Sequence, residues 1–403
     1  MWKDVSNYNL AIFSKQSAIQ YYEATIYLGL GCNRLTQVSL NGMQTEAYQY
    51  DANGNRVLST STQLGVINQN ANYNNGDQLQ AAGNQTYRYD SNGRLKTKTR
   101  TTDDGAIITT TYQYSSDGRL LKVTTPEKTI EYRHNALGNR VAKLVNGQVV
   151  EKYLWQNKTT LLATFDANGN LKKRFEYTLG HAPTAFTQDG EKYFILTDQI
   201  GSPRIITDSI GNIVKEITYD SYGNILNDSN ESFELPFGFA GGMHDKDTGL
   251  IRFGYRDYDP ETGRWTARDP IGFEGGDSNL YGYVLGDPIN LVDPDGLIGL
   301  SQAVAAIGAI TIAKGLYDYN QNQRELKIMR DSIAHAYRIR ERCISPSACP
   351  MPYKELSSYL EALERVERRY IEKTGQSGFD LASSLNGRRT RNIQLPKKLP
   401  FCD

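Results

Sequence analysis

One unit keeps returning in the chain before residue 230: an aromatic residue, Asp or Asn, two variable residues, Gly, a polar residue and an aliphatic one. It stands as Tyr50-Asp51-Ala52-Asn53-Gly54-Asn55-Arg56-Val57, Tyr89-Asp90-Ser91-Asn92-Gly93-Arg94-Leu95, Tyr114-Ser115-Ser116-Asp117-Gly118-Arg119-Leu120 and His134-Asn135-Ala136-Leu137-Gly138-Asn139-Arg140-Val141. Looser copies stand at Phe165-Asp166-Ala167-Asn168-Gly169 and Tyr219-Asp220-Ser221-Tyr222-Gly223-Asn224. An Asp or Asn side chain bonds backbone two residues on, Gly accepts positive φ, and the flanking residues alternate, so each unit is a hairpin corner. A series of such corners predicts a continuous antiparallel sheet. Leu95-Lys96-Thr97-Lys98-Thr99-Arg100 alternates with polar residues on both faces, which predicts a sheet wound into a partial shell, wet inside and out, rather than a dry sandwich.

Composition agrees with a turn-rich β protein. The 403 residues include 27 Tyr and 36 Gly, 39% are hydrophobic and the formal net charge is +0, which excludes a bulk polyanion binder and gives room for two domains. Four cysteines without a CxxC pair exclude a disulfide framework and a tetracysteine zinc site. No phosphate loop, zinc motif or nucleophile elbow is present, so no cofactor and no metal are expected. Residues 1–31 carry no apolar stretch of signal-peptide length, and no N-terminal signal peptide is expected.

The character of the chain changes after Leu297. Residues 298–403 hold 17 Lys and Arg against 11 Asp and Glu and show helical periodicity over 303–342 and 353–374, so the expected fold is mainly β with a C-terminal α-helical domain. Ile298–Ala313 is apolar but shorter than a membrane span, which predicts a buried or interfacial helix and leaves a membrane as a partner of 298–313. The basic end, Arg388, Arg389, Arg391, Lys397 and Lys398, suits a nucleic acid, an acidic partner or solvent. His335 beside Arg338, Arg340 and Glu341 suits a nuclease base or a structural histidine, and Cys343 and Cys349 suit a small disulfide or two free thiols.

Four aspartates, Asp257, Asp259, Asp269 and Asp293, crowd the stretch before the change. Two carboxylates held close cannot both ionise cheaply, and such a pair can activate water against a peptide carbonyl. Asp-Pro and Asp-x-x-Gly also cap turns, the expected role of Asp259 and Asp293 with Pro294. Gly296 allows close backbone approach, and Leu297 can fill an apolar pocket.

The YD units, Asp198-Gln199-Ile200-Gly201-Ser202-Pro203-Arg204, Tyr255-Arg256-Asp257-Tyr258-Asp259-Pro260-Glu261-Thr262-Gly263-Arg264-Trp265, Asp269-Pro270-Ile271-Gly272-Phe273 and Asp293-Pro294-Asp295-Gly296-Leu297 together resemble an Rhs, or YD-repeat, protein with a repeat-associated core. That resemblance implies a lead-in at 1–32, a repeat shell at 33–240, a core at 241–297 and a variable effector domain at 298–403. It implies aspartyl self-cleavage between Leu297 and Ile298 served by Arg256, Asp257 and Asp269, delivery by a specialised secretion system to the cell surface or beyond, and a cognate immunity protein. A non-enzymatic YD-repeat adhesion or interaction protein is the alternative. Two departures stand out: the repeat region is far shorter than a complete shell of the family, and Phe273 replaces the usual Leu. The aromatics Phe239, Tyr281 and Tyr283 are expected to face inward and to receive residues 298–313.

Overall fold

The computed structural model describes residues 5–13, 19–28, 34–178 and 180–297. The expected helical domain, the 298–313 segment, His335, Cys343, Cys349 and the basic end lie outside them. Twenty-one strands, from Val5–Phe13 to Ile225–Asp228, form one sheet in which each strand pairs antiparallel with the next in sequence. The sheet is already under way before residue 33, because Val5–Phe13 and Ile19–Leu28 are its first two strands. This large open antiparallel sheet is the β architecture expected from the hairpin units.

The corners form as their chemistry dictates. At Asp51 the side-chain Oδ1 accepts the N–H groups of Asn53 (3.0 Å) and Asn55 (2.9 Å), Gly54 takes φ +82°, and the strand register slips by a bulge at Tyr50. Asp90, Asp166, Asp208 and Asp220 repeat this pattern. A four-residue loop ending in a left-handed Gly bulge matches the right-handed twist of the strands it joins.

Four aromatics at strand ends have a second task. Tyr50 Oη donates to the Leu35 carbonyl (2.7 Å), Tyr73 Oη to Arg56 (2.9 Å), Tyr177 Oη to Leu161 (2.8 Å) and Trp155 Nε1 to Arg140 (2.6 Å). Each acceptor is the first residue after the preceding corner. A ring at the end of one strand therefore satisfies a carbonyl at the start of the strand before it, and neighbouring hairpins are tied together.

The sheet curls back on itself. Tyr50 Oη lies 2.6 Å from Tyr222 Oη, the Tyr48 and Tyr222 rings meet edge to face at 5.1 Å, and the Ser221 N–H reaches the Glu46 carboxylate, so an early corner touches the corner before the last strand. Residues 235–297 pack onto its inner side. They contribute a small sheet of Met243–His244, Ile251–Phe253, Arg256–Asp259 and Arg264–Trp265, and an aromatic core of Phe239, Phe253, Tyr258, Trp265 and Tyr283 shared with Ile200, Ile217 and Tyr219 of the large sheet. Two expectations change here. Where residues 235–297 cover it, the inner side is matched charge to charge rather than wet: Lys98 meets Glu261 (2.5 Å), Lys128 meets Asp247 (2.5 Å), and Lys143 meets Asp245 and Asp247 (2.6 Å each). Phe239, Tyr281 and Tyr283 are at most 2% exposed and already packed, so they offer no free surface to another segment.

Replacing Tyr177 by Phe keeps the ring and removes the donor to Leu161; we expect the unfolding free energy from urea titration to fall by about 1 kcal/mol, the cost of one lost hydrogen bond.

Candidate cleavage centre

The Arg256–Asp259 strand distributes its side chains by the two-residue period of an extended chain. Arg256 and Tyr258 belong to one side, Asp257 and Asp259 to the other. On the first side, Tyr258 joins the aromatic core and the Arg256 guanidinium lies over the Trp265 ring, 4.1 Å from its centre. On the second, Asp257 accepts from Arg140 Nη2 (2.5 Å) and from Arg252 Nη1 (2.7 Å), its cross-strand partner. Asp259 meets Lys98 (3.3 Å) and closes the Asp259–Gly263 turn.

Arg256 organises the end of the described chain. Its Nη2 contacts Asp269 Oδ2 (2.9 Å) and Asp293 Oδ2 (3.1 Å), and its Nε donates to the Gly296 carbonyl (2.5 Å). Arg256 is 4% exposed and Asp293 1%. Asp293 Oδ1 accepts the Leu297 N–H (3.1 Å), and its carbonyl accepts the Gly296 N–H (3.3 Å), so the Asp293–Leu297 segment closes as a turn on its own first residue. The Tyr255 N–H donates to the Asp295 carbonyl (2.8 Å) and holds that turn against the hairpin.

Two glycines permit this. A Cβ on Gly296 (φ +68°) would stand 2.6 Å from the Phe253 carbonyl oxygen and 2.9 Å from the Arg256 nitrogen, both backbone atoms that cannot give way. A Cβ on Gly275 would stand 2.9 Å from Asp269 Oδ2 and 3.6 Å from the Leu297 carbonyl oxygen. The Asp269 carboxyl and the Leu297 carbonyl thus share one small space beside Gly275. Burial pushes the Asp269 carboxyl above the usual carboxylate range, although Arg256 pulls the other way.

The structure gathers Arg256, Asp269, Asp293, Gly296 and Leu297. It does not bring Asp257 to Asp269: strand alternation turns Asp257 to the sheet, where two arginines hold both of its oxygens. Asp259 lies with it on that side, in a turn and an ion pair, while Asp293 forms its turn and also joins the Arg256 cluster. Pro294 follows Asp293 in that turn. Ile298 lies outside the described residues. The partners Arg140 and Lys98, more than a hundred residues upstream of the carboxylates they meet, were not singled out by the sequence pattern; cations at inward positions of strands were the available signal. Among the described residues no group of three or more His, Cys, Asp or Glu is placed to hold a metal, and no helix is long and apolar enough to cross a membrane.

Sequence comparison assigns the chain to a family. The model of the Teneurin YD-shell matches residues 23–282. The chain belongs to the Teneurin YD-shell family. It is thereby an Rhs, or YD-repeat, protein. Teneurin-3 of Danio rerio is 32% identical over 273 residues, covering 64% of this chain and 10% of that protein. The tRNA3(Ser)-specific nuclease WapA of Bacillus spizizenii is 31% identical over 258 residues, 62% of this chain and 11% of its own. The chain spans about a tenth of the length of these relatives. A chain of the TcdB2-TccC3-Cdc42 crystal structure aligns over 72% of this one and 14% of itself, at 20% identity and TM-score 0.41.

Asp257→Asn leaves Arg140 and Arg252 facing each other with no carboxylate between them; urea denaturation should show a loss of about 3–5 kcal/mol, as for a buried ion pair deprived of one partner. Asp259→Asn should cost about 1 kcal/mol or less, since Lys98 keeps Glu261 and the cluster is partly solvated.

Proposed function

We propose that the chain is the C-terminal part of an Rhs-type polymorphic toxin, in which a β-shell with its core at 241–297 presents an effector domain, residues 298–403, released by self-cleavage after Leu297. One observation carries this reading: Arg256 holds two carboxyl groups and the Gly296 carbonyl, one residue before the proposed scissile bond. Asp269 and Asp293 form the working pair, with Arg256 as their positioning residue. Asp257 is assigned to holding the core on the sheet.

The step balances as general acid–base hydrolysis. Asp293, facing an arginine and an amide N–H, is the carboxylate that takes a proton from water as the water oxygen attacks the Leu297 carbonyl carbon. Asp269, whose carboxyl burial keeps protonated to higher pH, gives its proton to the carbonyl oxygen. Collapse of the tetrahedral carbon breaks the bond to nitrogen, which takes the proton held by Asp293 and leaves as the Ile298 amine, while a hydroxyl of the intermediate returns a proton to Asp269 and Leu297 is left with a free carboxyl group. Delivery by a specialised secretion system, a cognate immunity protein, and a nucleic acid or membrane as the effector's target belong to the same reading. The names of the relatives, a tRNA nuclease among them, support a toxin role for the shell class. The match to Teneurin-3 keeps a second reading in place, a shell that presents an interaction domain without cutting.

In cell-free synthesis of the full chain, mass spectrometry should find a fragment beginning at Ile298, reduced by at least about a hundredfold in rate by Asp269→Asn and unaffected by Asp259→Asn. The acid must be protonated to act, so the rate should fall as pH rises through the raised Asp269 pKa. A single stable full-length band supports the non-cutting reading, and an Ile298 fragment from the Asp269→Asn chain removes Asp269 from the mechanism.

A further inference from the structure

On the other side of the Ile251–Phe253 hairpin lies a cleft of about 450 Å³, its open mouth included, lined by Asn139, Arg140, Lys158, Arg252 and Pro294 among others. It is outside the Arg256 cluster, and its charges do not balance. Arg140, Lys158 and Arg252 line it, and Arg119 stands near Lys158. Against them stand Asp117, bound to Arg119 (2.8 Å), Asp257, shared between Arg140 and Arg252, and Asp295, which acts on Lys158 only through space. Among the described residues no carboxylate is in contact with Lys158: its ammonium donates to the Leu137 carbonyl (2.7 Å) and lies 3.9 Å from the centre of the Tyr255 ring. Burial, with Arg252 and Arg119 nearby, pulls it down to about 8, the signature of a cation short of an anion.

Among the described residues, three polar atoms of side chains that line this cleft are buried without a partner: Arg140 Nε, Arg252 Nη2 and Asn139 Oδ1. The side chains of Arg140 and Arg252 are 2% and 5% exposed. Buried polar groups are otherwise nearly always paired, so three orphans on one cleft point to a missing ligand. Their types define it. The arginine atoms and Lys158 call for acceptor oxygens carrying negative charge. Asn139 Nδ2 already donates to the Asn157 carbonyl (2.6 Å), which fixes the amide and leaves Oδ1 as an acceptor that needs a donor. Sulfate and carboxylate offer the charge without the donor. A protonated phosphate offers both.

We propose that this cleft is a binding site for a hydrogen phosphate group, free or as a monoester, held by Lys158, Arg140 and Arg252 through its anionic oxygens and by Asn139 through its P–O–H. The site lies where the Asn135–Asn139 corner, the loop after Trp155 and the 251–256 hairpin meet, so an occupant would fasten the core to the sheet. It is independent of whether the chain cuts itself.

The test uses the full chain in mildly acidic buffer at constant ionic strength. Inorganic phosphate is followed by phosphorus NMR line broadening and by the rise in melting temperature, with sulfate and acetate as comparison anions. Phosphate should bind and stabilise more than either. Lys158→Gln, at the half-buried mouth, should weaken binding about tenfold, the worth of one charge-assisted bond, and Asn139→Asp should abolish it, with circular dichroism confirming that each variant folds. Methyl phosphate separates the sources: equal binding indicates a monoester, and binding of inorganic phosphate alone indicates the free ion. Phosphate binding no better than sulfate, or unchanged in folded Lys158→Gln, overturns the proposal.

Discussion

The Asp257 carboxylate, held at 2.5 Å by Arg140 of the large sheet and at 2.7 Å by Arg252 of the core hairpin, is the contact on which the rest of the arrangement depends. Three buried charges in a row are costly to desolvate, and removing the shared carboxylate would leave two buried cations without it, so the core and the sheet must seat together or not at all. Around this bridge the other inward cations follow the same logic, Lys98 to Asp259 and Glu261, Lys143 to Asp245 and Asp247. A sheet with lysines and arginines on its inner side would otherwise stay solvated and open. Here their partners are carried on a single later segment.

Strand alternation then links this attachment to the chemistry one residue away. Because Asp257 faces the sheet, Arg256 must face the aromatic core, where Trp265 lies under its guanidinium and Asp269, Asp293 and the Gly296 carbonyl complete its contacts. The hairpin thus serves as a hinge-free mount. One side anchors, and the other fixes the geometry of the Asp293–Leu297 turn. A slip of one residue in register would exchange the two sets and lose both.

Much of the sheet was legible because its corners are local. An Asp that bonds its own backbone and a Gly at positive φ act within five residues, and no distant contact is needed to read them. The hydrogen bonds from Tyr50, Tyr73, Trp155 and Tyr177 back to the preceding strand were not legible, since a ring's apolar bulk explains its presence equally well and its polar tip speaks only once strand pairing is known. At the Arg256 cluster, the family pattern points to Arg256, Asp257 and Asp269 as one set, and sequence spacing does not say which side of a strand a carboxylate takes when both sides are buried. Asp293 was read as a turn former. It is one, and the same turn carries its second oxygen to Arg256. Phe239, Tyr281 and Tyr283 were expected to receive another segment, whereas rings so close in sequence pack first on one another.

If the charge matching between sheet and core is what holds the fold together, residues 235–297 should unfold only with the strands they cover. Hydrogen–deuterium exchange of the full chain, resolved by peptide and measured across increasing urea, tests this most directly. The account predicts that peptides from 251–266 and 281–297 share one opening free energy with those from 120–145. Earlier, independent exchange of the 235–297 peptides, with the 120–145 strands still protected, would contradict it.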